Sequence, residues 1–176
     1  MIKFQSVNRG ENMKPKKVIL HCSDTPDSAG DKYGAKDIDL WHRERGFEQI
    51  GYHRVIRRTG VAERGRSDNV PGAHTLHHNS DSLGICYIGR RSPSVDQVVT
   101  LLALYSEFKQ KYQIDYLQWF GHYEFTDKKI CPGFDMRLFR FLLKLFEDVC
   151  ISLDDRAFIK SFLQYLTSEK NQIDAK

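Results

Sequence analysis

The sequence predicts an α/β fold: one domain with a central mixed β-sheet, helices on both faces and an extra C-terminal helix. Three observations carry this. Short apolar runs, Val18-Ile19-Leu20 and the segment 82–89 (SLGICYIG), have the pattern of strands covered on both faces. Strand-like runs alternate with helical periodicities along the chain, the order expected of layered α/β architectures. The length, 176 residues, favours one domain with a real core.

The elements follow in order. Residues 16–22 (KKVILHC) read as a strand ending at His21, and the turn formers of 23–34 make a loop. A short helix is expected over 36–45, with Ile38 and Trp41 on one face and Gly46 just past its end. Residues 52–57 and 61–64, joined by Arg58-Thr59-Gly60, read as a hairpin. Residues 65–81, rich in Gly, Asn and His, form a long loop before the strand at 82–89. Ser94 and Gln97 make a capping box for a helix whose stripe is Val98, Leu101, Leu102, Tyr105, Phe108 and Tyr112. The run 117–121 (LQWFG) is a short buried strand ending at His122. Asp135 can cap a helix running to about Val149 whose apolar residues cover more than half its circumference, so a second cover is needed. Residues 151–176 supply it: a helix over about 154–168, offering Phe158, Phe162, Tyr165 and Leu166, packed on its predecessor and followed by a frayed tail. The domain is thus expected at 16–150, between a basic arm (1–15) and the appended helix.

The net charge of +4 is carried by the first 17 residues, where Lys3, Arg9, Lys14, Lys16 and Lys17 face Glu11. The body has no basic stripe, so nucleic acid is not an expected partner. No apolar run is long enough for membrane insertion, and Val18-Ile19-Leu20 is too short for a signal-peptide core. Synthesis in the cytoplasm without a signal peptide is therefore expected. Cys22, Cys86, Cys131 and Cys150 show no disulfide-scaffold spacing and read as thiols. Cys22 should point away from the rim where its neighbour His21 sits.

The segment 122–133 (HYEFTDKKICPG) places His122 and Cys131 on one loop. Both are good Zn²⁺ ligands. His21 follows its strand as His122 follows LQWFG, so neighbouring parallel strands would bring both imidazoles to one rim, where sites in such sheets collect. A His₂Cys set with an open fourth position is a catalytic arrangement of zinc.

With these residues the chain resembles the zinc-dependent N-acetylmuramoyl-L-alanine amidases, above all the phage amidase-type lysozymes related to peptidoglycan recognition proteins. The resemblance rests on an ordered set: His21-Cys22-Ser23-Asp24-Thr25, Trp41-His42, Gly51-Tyr52-His53, Gly72-Ala73-His74, Asn79-Ser80, Leu83-Gly84-Ile85 and Lys129-Ile130-Cys131-Pro132. It covers roughly residues 16–148. Phe47 stands where the family often has tryptophan, and Tyr123 where it often has a second histidine.

The resemblance implies one zinc ion on His21, His122 and Cys131, with Tyr52 and Lys129 as catalytic residues. Lys128 competes with Lys129 by proximity, and spacing to Cys131 favours Lys129. The implied reaction is hydrolysis of the amide between N-acetylmuramic acid and L-alanine in peptidoglycan, with zinc-bound water as nucleophile. Tyr52 can hydrogen-bond that water or the developing oxyanion, and Lys129 can supply positive charge to it. His74 and Asn79 are the candidate substrate-binding residues; the bland alternatives are a surface histidine and an asparagine fixing loop backbone. His42 and His53 read as structural, His77 and His78 as exposed, and Glu124 as solvated. The expected partner is peptidoglycan or a muropeptide, met at the bacterial cell wall or periplasm, and the C-terminal helix offers a surface for a protein partner. The competing readings are a wall-binding module without catalysis and a protein-interaction regulator on the same fold.

Overall fold

The computed structural model describes residues 12–128, 130–148 and 152–168. Lys129, Cys150, most of the basic arm and the tail from 169 lie outside the described residues. The strands are β1 (Lys17–Cys22), β2 (Arg54–Ile56), β3 (Ala62–Arg64), β4 (Ser82–Tyr87) and β5 (Trp119–Gly121). The helices are α1 (Ala35–Glu44), α2 (Val95–Tyr112), α3 (Met136–Asp148) and α4 (Arg156–Leu166).

The five strands form one sheet in the order β3-β2-β4-β1-β5. β1 runs parallel to both β4 and β5, β2 runs parallel to β4, and the β2–β3 hairpin is antiparallel. The sheet is therefore mixed, as the alternating pattern predicts. Val18, Ile19 and Leu20 have no exposed surface, which accounts for their unbroken apolar run on a strand covered from both sides.

Alternation along the strands divides the core. Val18, Leu20, Ile56, Leu83, Ile85 and Tyr87 meet the apolar stripes of α2, α3 and α4 in the larger cluster. Val55, Cys86 and Ile88 meet Ile38 of α1 and Ile50 in the smaller one. The start of α2 is fixed as the sequence predicts: the Ser94 hydroxyl accepts from Gln97 N–H, and the Gln97 side chain accepts from Ser94 N–H.

The structure departs from expectation at three places. Met13 is buried in the larger cluster, and its N–H donates to Asn69 O at 3.0 Å, so the fold takes in residues before 16. β5 starts at Trp119 rather than Leu117, because the Asp115 carboxylate accepts from Leu117 N–H and turns 116–118 into a single tight helical turn. α4 lies against α2 rather than on α3, its predecessor in the chain. It buries Ile159, Leu163 and Leu166, while Phe158 and Tyr165, expected in the interface, are exposed. The i, i+4, i+7 spacing of the branched aliphatics forms the tighter stripe. An ion pair between Arg156 and Asp96 pins its first turn to α2. None of the described helices is long and apolar enough to cross a membrane.

Candidate active site

The register of the parallel strands builds the site. Leu20 pairs with Gly121 across β1 and β5, so the next residues, His21 and His122, come side by side with ring centroids 4.5 Å apart. The 3-10 turn His122–Phe125 then swings the chain away, and Cys131 returns beneath it, held by Tyr123 N–H donating to Cys131 O at 2.9 Å. One ligand atom from each of His21, His122 and Cys131 lies within 4.8 Å of the other two. These are the three residues named from sequence, brought together from points up to 110 positions apart in the chain.

Two features tune the thiol. Burial pushes the Cys131 pKa well up, so a bare thiolate there is disfavoured without a cation. Against that, Cys22 N–H donates to Cys131 Sγ at 3.0 Å, a hydrogen bond that strengthens when the sulfur carries charge. Cys22 packs on the larger core, as alternation predicts, yet its thiol as well as its backbone N–H interacts with Cys131.

Tyr52 precedes β2 and stands over His21, with ring centroids 5.1 Å apart. Burial raises its pKa well above the usual tyrosine value, which keeps it a neutral hydrogen-bond donor. Lys128 lines the cleft from an exposed position.

His74 is less of a surface residue than its polar loop suggests. Its Nδ1 lies 3.1 Å from His21 Nε2 and 3.1 Å from Thr75 Oγ1. Burial pushes its pKa down to about 3. Asn79 Oδ1 accepts from both His74 N–H and Thr75 N–H at 2.9 Å, which fixes the loop backbone. His42 and His53 are structural as expected: His42 Nδ1 accepts from Gly51 N–H and His53 Nδ1 from Gly84 N–H. Glu124 is exposed, as expected, but it also accepts from Gly121 N–H and pairs with Arg140. His78 is half-buried against Phe125.

The cluster sits in a cleft of about 820 Å³. Trp41 and Phe47 give it an apolar wall; Arg45 and Arg90 contribute cations and Asp24 and Asp127 anions. Arg90 pairs with Asp24 at 2.6 Å. Sequence reasoning missed Thr75 and Ser82, both buried beside His74. The available signal was glycine, since Gly72 and Gly84 bracket His74 in the chain.

A mixed sheet with this cluster at the carboxyl end of its central parallel strand has the architecture shared by cell-wall amidases and peptidoglycan recognition proteins. Among solved structures, the endolysin amidase LysCS from Clostridium intestinale URNW superposes with a TM-score of 0.63 at 26% identity, covering 75% of this chain and 84% of that one. Drosophila PGRP-LB superposes with a TM-score of 0.61 at 27% identity, covering 81% and 86%. The endolysin of Klebsiella phage KP32 is 33% identical over 145 residues, 78% of this chain and 91% of the relative. The N-acetylmuramoyl-L-alanine amidase family profile matches residues 11–134. The chain belongs to that family and is a peptidoglycan amidase.

Proposed function

We propose that the protein hydrolyses the amide between the lactyl group of N-acetylmuramic acid and L-alanine, using one zinc ion held by His21, His122 and Cys131. The observation that carries the reading is the cluster itself, whose three donor atoms lie within 4.8 Å of one another. The donor chemistry fits: imidazole and thiolate are zinc's usual ligands, and three protein ligands are typical of catalytic rather than structural sites. When bound, zinc would supply Lewis acidity, lowering the pKa of bound water to about 7 and polarising a carbonyl.

The chain's residues do the rest. Tyr52, neutral and standing over His21, donates its hydroxyl proton as a hydrogen bond to the oxyanion that forms as the amide carbonyl is attacked. Lys129, two residues before Cys131 in the sequence, is the residue assigned to add positive charge there. The departing L-alanine nitrogen takes a proton from Tyr52, Lys129 or a relayed water. Trp41 and Phe47 offer apolar surface to the sugar and lactyl group, and Arg45 and Arg90 attract stem-peptide carboxylates. Asn79 acts on the substrate side by holding the 74–75 backbone at the cleft wall.

The test is turbidity loss of purified cell walls with and without a chelator, followed by mass analysis of the soluble product. The expected result is chelator-sensitive clearing, restored by zinc, with release of stem peptide carrying a free L-alanine amine. Clearing that is indifferent to chelation overturns the zinc reading. Release of cut glycan instead of free peptide overturns the bond assignment.

A further inference from the structure

His74 is held too specifically for a residue whose only task is to line a cleft. A Cβ at Gly84 would lie 2.5 Å from His74 Cδ2, and one at Gly72 would lie 2.4 Å from the same atom. Both are far inside van der Waals contact, so the imidazole occupies a slot that exists because two glycines wall it. The backbone at the slot is clamped as well, by Asn79 Oδ1 on the N–H groups of His74 and Thr75 and by Ala73 N–H on Gly51 O.

The hydrogen bonds around this ring have a direction. Ser82 Oγ lies 2.5 Å from His78 O, and a carbonyl can only accept, so the serine proton is committed there. Ser82 Oγ then faces His74 Nε2 as an acceptor, at a long 3.5 Å, and Nε2 carries the ring proton. That leaves Nδ1 of His74 with its lone pair toward His21 Nε2, 3.1 Å away. Thr75 Oγ1, also 3.1 Å from Nδ1, can donate to the same lone pair, but two bare ring nitrogens facing each other at 3.1 Å would repel, so His21 holds its proton on Nε2. Thr75 Oγ1, 3.4 Å from His21 Nε2, fits as a second acceptor.

We propose that His74 is a positioning residue for His21: by accepting the His21 Nε2–H, it fixes the tautomer whose lone pair is on Nδ1 and turns that atom to the cluster with His122 and Cys131. This rests on the reading of the cluster as a zinc site. Ligating histidines commonly donate their second N–H to an outer partner, usually a carboxylate or carbonyl, and losing that partner weakens metal binding by roughly 10–100-fold. Here a second histidine takes the place of the carboxylate. It accepts the proton without bringing a negative charge beside the cluster.

Two experiments decide it. Long-range ¹H–¹⁵N correlation spectra of the histidine-labelled wild-type protein, above neutral pH and without metal, should show His21 and His74 both as Nε2–H tautomers. A His21 Nδ1–H tautomer overturns the relay. Competition for zinc against a chromogenic chelator should show His74→Ala binding zinc about 10–100-fold more weakly than wild type. At saturating zinc, its KM for a muropeptide should be unchanged. His74→Asn, which returns an acceptor oxygen near the Nδ1 position, should recover zinc affinity to within a few-fold. Wild-type zinc affinity in His74→Ala, coupled to a raised KM, overturns the proposal and makes His74 a substrate contact. A wild-type protein that binds no zinc overturns the reading of the cluster instead, and the metal-free spectra then decide the relay separately.

Discussion

The backbone N–H of Cys22 points at the sulfur of Cys131 across 3.0 Å, joining the end of β1 to a loop 109 residues further along the chain. The bond is stronger to a thiolate than to a thiol, so the strand that carries His21 also favours charge on the sulfur.

Cys131→Ser should remove that advantage along with the soft ligand. Zinc affinity is expected to fall by more than the roughly 100-fold upper range for losing an outer partner, and wall-clearing activity with it. Equilibrium dialysis with zinc analysis checks this. A serine variant with full zinc and full activity would take Cys131 out of the ligand set.

The two lysines of the ligand loop should separate sharply. Lys129→Ala is expected to lower kcat by about 10²–10³, the range for removing one oxyanion-stabilising donor. Lys128→Ala, at an exposed position on the cleft wall, should leave kcat within a few-fold. Single-turnover rates on a soluble muropeptide distinguish them, and the reverse order hands the role to Lys128.

α4 should behave as part of the fold and not as an attachment. Ile159 has no exposed surface and belongs to the same cluster as Leu83 and Phe139. Ile159→Ala is expected to cost about 2–5 kcal/mol in a denaturant melt. Gln164→Ala, on the exposed side of the same helix, should stay within about 0.5 kcal/mol. Equal, small effects would show that α4 contributes little to the core.

Acid stability should depend on Asp68. Burial pushes its pKa up, but hydrogen bonds from Arg54 and Tyr112 outweigh that and leave it at about 2. A lowered folded-state pKa means stability that is fully present above the unfolded value near 3.9 and lost as pH falls through about 2. Asp68→Asn should flatten that acid limb. At neutral pH it should cost about 3 kcal/mol, because it takes the close two-point carboxylate contact from the buried Arg54 guanidinium and leaves Glu107, 3.8 Å away, as its remaining anion. Urea melts across pH 2–7 read both effects.

Much of this was legible in the chain, for physical reasons that differ by element. β1 announced itself because a strand covered on both faces has no polar alternation, and its last residues therefore sat at a rim. α2 announced itself through Ser94 and Gln97, whose capping is local. The His21–His122 pairing followed from assuming parallel neighbours, which the register bears out. What stayed hidden depends on distance in space. The seat of α4 on α2 turns on which of two overlapping stripes packs more closely, and aromatic content pointed to the wrong one. The meeting of His74 with His21 depends on a loop that folds back across Gly84, and no periodicity records it. Glycines flanking a lone histidine are a weak sign on their own, and acquire meaning once the ring between them is seen.

β1 is bonded along both edges, to β4 on one side and β5 on the other, and Val18, Ile19 and Leu20 are wholly enclosed. Amides in such a strand exchange with water only when the whole molecule opens. His21 follows directly on that enclosed segment and still pairs with Cys86 of β4, so its imidazole is anchored by the strand rather than by a free loop. For this imidazole, the lifetime of the site is the lifetime of the sheet.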